Sequence, residues 1–362
     1  MERKTILIIN KFCPLHPKAG GAEKNLLEIF SRIGEQHEVI LLAARFPGAA
    51  KEETYRNIRI CRIGAPNSEN IIRIHLLLPL VLRNYLKRFA PDVLLEDVSV
   101  LPFFTPLLYP RQKKIIIIHN LNRGQFFKSQ RFFYAFIGYL AESLFLLLYR
   151  RQKVIVVSEW MKQELVRHKF KRVVKVFNGV DEQLVTVRKE YAAEPTVLFL
   201  GRLENRKGID LFLKTYPLVK NKIPKVKYLV AGREFGGKSK IKKPAGIEFL
   251  GYVSEEEKQK MFGKTWLYAA PSRIEGYGIS VLEANATGTF VIANNVEGLK
   301  ESIVDGMTGV LVDCYNPPIF AEKIIEWLNR EKLKPKEVLC KEWAKKHNWD
   351  ESARHIESFI AT

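Results

Sequence analysis

The sequence predicts an α/β protein of two domains, each built on a doubly wound parallel sheet. Three observations carry this. The chain has 362 residues, 47% of them apolar, enough for two cores. Short unalternated apolar runs, such as Thr5–Asn10 (TILIIN), recur between stretches of helical periodicity, as strands buried on both faces do. Several runs end in glycine-rich turns that lead into a helix, where ligands sit in such sheets.

Taken in order, Thr5–Asn10 is the first strand and Cys13–Gly21 a loop with two prolines and a Gly-Gly pair. Leu26, Leu27, Ile29, Phe30 and Ile33 then share one helical side. Gly20 and Gly21 therefore stand at a helix N-terminus just past a strand end, a place suited to phosphate, with a plain loop as the alternative. Further strands are expected at Val39–Ala43, Arg59–Ile63, Val93–Glu96 and Ile115–His119. His119 ends the run IIIIHN, where an imidazole can exchange a hydrogen bond with a ligand or serve the structure alone. His16, in the first loop, is a second candidate on the acceptor side.

Residues 70–90 and 123–153 mix large apolar side chains with basic ends. Phe132–Tyr149 spans 18 residues with the single charge Glu142, short of the roughly 20 that cross a membrane. Ala135, Gly138, Tyr139, Glu142 and Ser143 form its less greasy face. This reads as a helix partly in the core and partly interfacial. Arg123, Lys128, Arg131, Arg150, Arg151 and Lys153 beside it would suit anionic lipid; a buried helix with solvated basic ends is the alternative. Lys153–Ser158 is a strand ending in an N-cap serine, Val174–Asp181 (VKVFNGVD) closes the domain, and 182–195 is the expected linker.

In the second half, Thr196–Leu200 leads into GRLENRKGID. Arg202 and Lys207 bracket a turn before a helix. Two cations between a strand end and a helix start suit a diphosphate, one as a fork and one as a point charge; a basic surface loop is the alternative. No D-x-D pair occurs for a divalent ion, and the two cations can take its place. Tyr228–Gly232 is the next strand, facing a ligand at Gly232 and Arg233. Arg233–Ala245 is a basic, glycine-rich loop. Ile247–Leu250 precedes a capping box, Ser254 with Glu257.

Residues 266–288 are the densest stretch. Trp266–Ala270 is a strand that Pro271 and Ser272 break. Gly276 and Gly278 permit a tight turn, and Ile279, Leu282 and Ala286 start a helix that Gly288 stops. Glu275 and Glu283 are eight positions apart, roughly 12 Å along a helix. That exceeds the roughly 5–9.5 Å of a glycosidase pair. Two hydroxyl clamps on one long ligand fit better than hydrolysis; two solvated glutamates are the alternative. Phe290–Ala293 is a strand, and Pro317–Leu328 and Trp343–Ile360 are helices.

The formal charge of +20 calls for an anionic partner. No helix-turn-helix, zinc-finger or RNA-reading pattern accompanies it, so specific nucleic-acid recognition is not expected. Cys13, Cys61, Cys314 and Cys340 are scattered, which speaks for a reducing compartment and against zinc. Met1–Lys4 precedes only six apolar-run residues, too few for a signal peptide.

The E-x7-E of SRIEGYGISVLEANATG resembles the signature of the retaining glycosyltransferases of family 4, which have the GT-B fold. The resemblance runs on through TFVIANNVEGLKESIVDGMTGVLV. GGAEKNL resembles the family's first phosphate-contacting loop, GRLENRKGID its G-R-x4-K-G motif, and NGVD the segment before its linker. Tyr277, where phenylalanine is usual, and the lack of Gly-Gly after Asn295 depart from it. The resemblance implies two Rossmann-like domains facing a cleft. Residues 1–188 would bind the acceptor and 189–342 the nucleotide sugar, a UDP- or GDP-hexose. The terminal helix, 343–362, would pack back on the first domain.

By position, Glu275 would bind donor-sugar hydroxyls and Glu283 the ribose. The backbone of Gly276, Tyr277 and Gly278 would meet sugar or phosphate, and that of Tyr252 and Val253 the base. Arg202 and Lys207 would hold the diphosphate. Gly20, Gly21 and His119 would line the reaction centre, and Glu301 would serve packing. No metal or cofactor is implied. The basic, apolar surface implies a lipid-linked or glycan acceptor, with peripheral attachment to the cytoplasmic face of an anionic membrane. An epimerase or phosphorylase of the same architecture, a transferase with a soluble acceptor and an inactive scaffold are the rivals.

Overall fold

The computed structural model describes residues 2–66, 71–98, 101–121, 132–234, 241–313 and 315–361. Arg123, Lys128, Arg131, Cys314 and the centre of the expected loop after Arg233 lie outside them. The chain divides into two compact units, Met1–Phe177 with Trp349–Thr362, and Asn178–Asn348.

The first unit carries β1 (Thr5–Ile9), α1 (Gly21–Ile33), β2 (Glu38–Ala44), β3 (Glu52–Tyr55), β4 (Ile58–Ile63), α2 (Ile71–Phe89) and β5 (Val93–Val98). α3 (Thr105–Leu108), β6 (Lys114–Ile118), α4 (Phe132–Leu148), β7 (Lys153–Val156), α5 (Glu159–Arg167) and β8 (Arg172–Lys175) follow. The sheet order is β3-β4-β2-β1-β5-β6-β7-β8. All pairings are parallel except β3 with β4. β3 is an edge strand that the sequence does not announce, because EETY is polar and half exposed. It returns through Arg56 and Asn57, whose φ angles of 45° and 63° form a two-residue hairpin turn. That turn rests on the end of α1: a Cβ on Gly34 would lie 2.5 Å from the Asn57 carbonyl oxygen.

α4 presents its faces in an instructive way. Gly138, Glu142, Phe145 and Leu146 are buried, whereas Phe136, Ile137, Leu140, Leu144 and Leu147 are exposed. Part of the less greasy face thus turns inward and the large apolar side chains face out. Among the described residues no helix is long and apolar enough to cross a membrane. The helix is anchored where it ends. The Tyr149 hydroxyl donates to buried Glu96 of β5 at 2.8 Å, and the same carboxylate accepts from the Phe103 N–H and the Thr105 hydroxyl. Burial pushes the Glu96 carboxyl up despite these donors.

The second unit carries α6 (Glu182–Thr186), β9 (Thr196–Leu200), α7 (Ile209–Lys222), β10 (Lys227–Ala231), β11 (Ile247–Gly251), α8 (Glu255–Lys264) and β12 (Leu267–Ala270). α9 (Ile279–Ala286), β13 (Phe290–Asn294), α10 (Glu297–Ser302), β14 (Gly309–Val312), α11 (Pro317–Trp327) and α12 (Arg330–Lys345) complete it. Its sheet, in the order β11-β10-β9-β12-β13-β14, is parallel throughout. The stretch 182–195 is not a free tether. It opens with α6, capped by Asp181, and Lys189 then donates to the Phe262 carbonyl at 2.8 Å and the Thr289 hydroxyl at 2.6 Å. Burial lowers the Lys189 pKa to about 7.

The helix expected over 343–360 is two helices. α12 stops at Lys345, and α13 (Trp349–Ala361) begins after a break at 346–348. α13 belongs to the first unit and packs on α1, where Asp350 pairs with Arg32 and Glu357 sits 3.0 Å from His37.

Replacing Tyr149 by phenylalanine keeps the ring and removes one donor from a buried carboxylate. The expected cost is about 1–3 kcal/mol of stability. Urea unfolding of the Tyr149→Phe variant checks it, and an unchanged midpoint would show that Glu96 does not depend on this bond.

Candidate active site

The second unit's sheet ends in glycine where its strands approach one another. Gly201, Gly232 and Gly251 have φ angles of 151°, 142° and 70°. A Cβ on Gly232 would lie 1.8 Å from the Gly201 carbonyl oxygen, so backbone crowding alone requires glycine there. α7 and α9 both open from glycine caps, Gly208 and Gly278, with φ angles of 76° and 86°. Neither start has a side-chain cap, which leaves first-turn N–H groups available to an anion.

The two motifs on either side of these caps form one assembly. A Cβ on Gly208 would lie 1.9 Å from the Pro271 carbonyl oxygen, so the Arg202–Gly208 turn presses on the Pro271–Gly278 turn. The Arg273 N–H donates to the Arg206 carbonyl at 2.9 Å, and its guanidinium reaches the Asn205 carbonyl at 2.9 Å and Asp210 at 2.8 Å. Across this seam Lys207 Nζ meets Glu275 Oε2 at 2.6 Å, and the Ser272 hydroxyl donates to the same oxygen at 3.1 Å. Burial alone would push the Glu275 carboxyl up. The Lys207 ammonium, the nearby Arg206 charge and the Ser272 hydroxyl outweigh it and hold the group below the usual carboxylate range. The cavity lined by Lys207, Ser272, Glu275 and Ser280 is about 10 Å³, room for about one water. Arg202 is half-buried two residues beyond β9.

Glu283 is buried on α9, and Lys258 of α8 holds it at 2.9 Å. Tyr268 links the two glutamates electrostatically. Burial first, and then the charges of Glu275 and Glu283, push its hydroxyl up, while it contacts the Leu200 carbonyl at 3.2 Å and the Ser280 hydroxyl at 2.9 Å. Gly276 lies under α10, since a Cβ on Gly298 would lie 2.6 Å from its carbonyl carbon and 2.2 Å from the Glu275 oxygen. The Tyr277 ring is buried, 6.1 Å from His347, so only its backbone can face a ligand. Val253 also turns inward, onto the core around Phe262. Tyr252 is exposed, with the Arg233 guanidinium 4.0 Å from its ring centroid.

In the first unit, Gly20 caps α1 and its N–H donates to Glu23 at 2.7 Å, while Gly21 is exposed as the first helical residue. His119 Nε2 is 2.9 Å from Asp97 Oδ1, close enough for charge attraction though off the hydrogen-bond line. Burial alone would lower the His119 pKa; Asp97, and then Glu23, outweigh it and raise it. Gly20, Glu23, Asp97 and His119 thus form one cluster. His16 is not part of it. It is buried, stacked 4.0 Å from the Phe12 ring with Phe46 edge-on at 5.0 Å, and its Nδ1 accepts from the Lys18 N–H.

Glu23, Asp97, Lys258, Arg273 and Gly298 were not singled out in the sequence. Only Glu23 carried a signal, the capping-box spacing from Gly20. The others owe their place to contacts between segments distant in the chain.

The His119 midpoint is expected above the ordinary 6.5. The pairing stabilises the protonated fold fully below about 6.5 and is lost as pH rises through the raised midpoint. Asp97→Asn should lower that midpoint in an NMR titration; an unmoved midpoint would remove Asp97 as the cause.

Two family models match the chain: Glycosyltransferase Family 4 over residues 19–184 and Glycosyl transferases group 1 over 181–355. Phosphatidyl-myo-inositol mannosyltransferase of Mycobacterium leprae is 30% identical over 195 residues, covering 51% of this chain and 52% of that protein. The chain spans about half the length of the curated relatives it matches. A sucrose-phosphate synthase from Thermosynechococcus elongatus superposes with a TM-score of 0.83 at 19% identity, covering 99% of this chain and 98% of that one. Anabaena HepE, solved in complex with UDP-glucose, gives a TM-score of 0.74 at 15% identity, covering 99% and 100%. With the two models end to end along the sequence, and each unit a parallel α/β sheet, this chain belongs to the family 4 glycosyltransferases and has the GT-B fold.

Proposed function

We propose that this protein is a retaining, metal-independent glycosyltransferase that moves a hexose from a UDP- or GDP-sugar to a lipid-linked glycan acceptor. The observation that carries the reading is the Lys207–Glu275 pair, set between two helix starts without side-chain caps and close in sequence to Arg202. Negative charge grows on the diphosphate as the glycosidic bond breaks. Arg202, Lys207 and the free N–H groups are fixed beforehand, so they stabilise that charge without reorganising. Glu275, held anionic, accepts hydrogen bonds from sugar hydroxyls. Glu283, whose charge Lys258 offsets, does the same for the ribose. The Arg233–Tyr252 stack offers a flat face beside the base.

In this reading the second unit takes the donor and the first unit the acceptor. His119, drawn toward its protonated form by Asp97 and Glu23, would donate to the transferred sugar or to phosphate. The HepE complex supports a UDP-sugar donor, and the mannosyltransferase name supports a lipid acceptor. So does the exposed apolar side of α4, followed by Arg150, Arg151 and Lys153, which suits shallow docking on anionic lipid.

A thermal-shift panel of nucleotide sugars with EDTA present tests the donor. Ligand at a hundred times its Kd adds about 2.7 kcal/mol, enough to move the transition visibly. The Lys207→Ala variant should keep its fold and lose about 10²–10³-fold in turnover, since a preorganised charge partner is removed. Near-normal turnover, or no shift with any nucleotide sugar, would overturn the assignment. For the membrane, flotation with acidic vesicles should recover the protein at low salt, and Leu140→Glu with Leu144→Glu should abolish recovery. Equal flotation of the variant would place the contact elsewhere.

A further inference from the structure

A cavity of about 380 Å³ opens near the β3–β4 side of the first unit's sheet, lined by Arg45, Lys51, Arg62, Asn84, Tyr85 and Arg88. His119 is remote from it: β2, β1 and β5 stand between β4 and β6, roughly 19 Å at the usual strand spacing. Nothing in the transferase reading uses it. The volume falls in the low part of the range for small-molecule sites, about 300–1,000 Å³.

Its charge is unbalanced. Arg88 forms a two-pronged pair with Glu52, at 2.5 and 3.0 Å. Arg62 lies 2.5 Å from Glu53. Glu52 is shared with Arg59, and among the described residues no carboxylate pairs with Arg45 or Lys51, so positive charge is in excess. Arg62 is also only 1% exposed, yet its donors are not all used. Nη1 donates to the Ala50 carbonyl at 2.9 Å, Nη2 meets Glu53 off the hydrogen-bond line, and Nε has no acceptor. The guanidinium lies over Phe46, 5.1 Å from the ring centroid. The Arg62 side chain has no accessible surface and neighbours the Cys13 thiol, so it lends the cavity positive charge from behind the wall.

We propose that this cavity binds a phosphomonoester group. A phosphomonoester carries close to two negative charges at neutral pH and several acceptor oxygens, which suits the accessible cations Arg45 and Lys51. A monoanionic carboxylate would neutralise less of the excess. Asn84 and Tyr85 add neutral polar groups for what the phosphate is attached to. The source is either a soluble phosphorylated metabolite or a lipid headgroup ending in a phosphomonoester.

Calorimetry of the full chain with glycerol 3-phosphate, using glycerol as the neutral control, tests the proposal. Binding at one site is expected, weakened at least about tenfold in the Arg45→Ala, Lys51→Ala double variant. These are the lining cations without a carboxylate partner among the described residues, and circular dichroism checks the variant's fold. Binding must survive saturation with UDP; if UDP abolishes it, the phosphate had occupied the donor site and the proposal falls. No heat with glycerol 3-phosphate, or equal affinity in the double variant, overturns it as well. Flotation with phosphatidic acid against phosphatidylserine vesicles, also acidic but without a phosphomonoester, separates the sources. A preference for phosphatidic acid that the double variant loses names the lipid headgroup; soluble binding with no such preference names the metabolite.

Discussion

The pressure of one turn on another organises the second unit. Gly208 lies so close to Pro271 that no side chain fits between them, and Lys207 and Glu275 meet across the same seam at 2.6 Å. Each element has another task that this contact constrains. The Lys207 turn starts α7, the Glu275 turn starts α9, and β9 and β12 deliver both to the same end of the sheet. A side chain on Gly208 would part the pair and separate the two uncapped helix starts together. The charges are preorganised because the backbone permits a single arrangement, and that is the condition under which fixed charges stabilise a developing anion.

The first unit follows a different logic. Two carboxylates buried on β5 organise it. Glu96 is wholly enclosed and ties β5, the loop after it and the end of α4 together, while its neighbour Asp97 serves His119. Adjacent residues on a strand point to opposite faces, so one pair of acidic residues supplies a structural anchor and a charge partner at once. The anchor also fixes how α4 is turned. With Tyr149, Phe145 and Leu146 held inward, Leu140, Leu144 and Leu147 have no core left to enter. The exposed apolar side is thus a consequence of packing and available to a surface.

Buried lysines recur as ties between segments in the second unit. Lys189 reaches two carbonyls and a threonine hydroxyl, and Lys258 reaches Glu283. Both keep their nitrogens satisfied although their stems are enclosed, as burial of a cation demands. They account for two surprises: why residues 182–195 are not a loose tether, and why Glu283 can be buried at all.

Most strands of both sheets and the strand–turn–helix order of 266–288 were readable in the chain, because a strand buried on both faces leaves an unbroken apolar run and glycine marks the turns. Arg202, Lys207, Glu275 and Glu283 could be named for the same reason: their motifs are local. β3 and α12 were not readable. EETY is too polar for an edge strand to stand out, and α12 buries only Leu333, Cys340 and Ala344 along a lysine-rich run with Pro335 inside it. The partners of the site residues were hidden altogether. Asp97 beside His119, Lys258 beside Glu283 and Gly298 beneath Glu275 are each more than 20 positions from the residue they serve. The sequence by itself determined the elements and the chemical groups offered at their ends. The tertiary structure alone decided which charges face one another, because ionisation and hydrogen bonding depend on distances through space that no local spacing encodes.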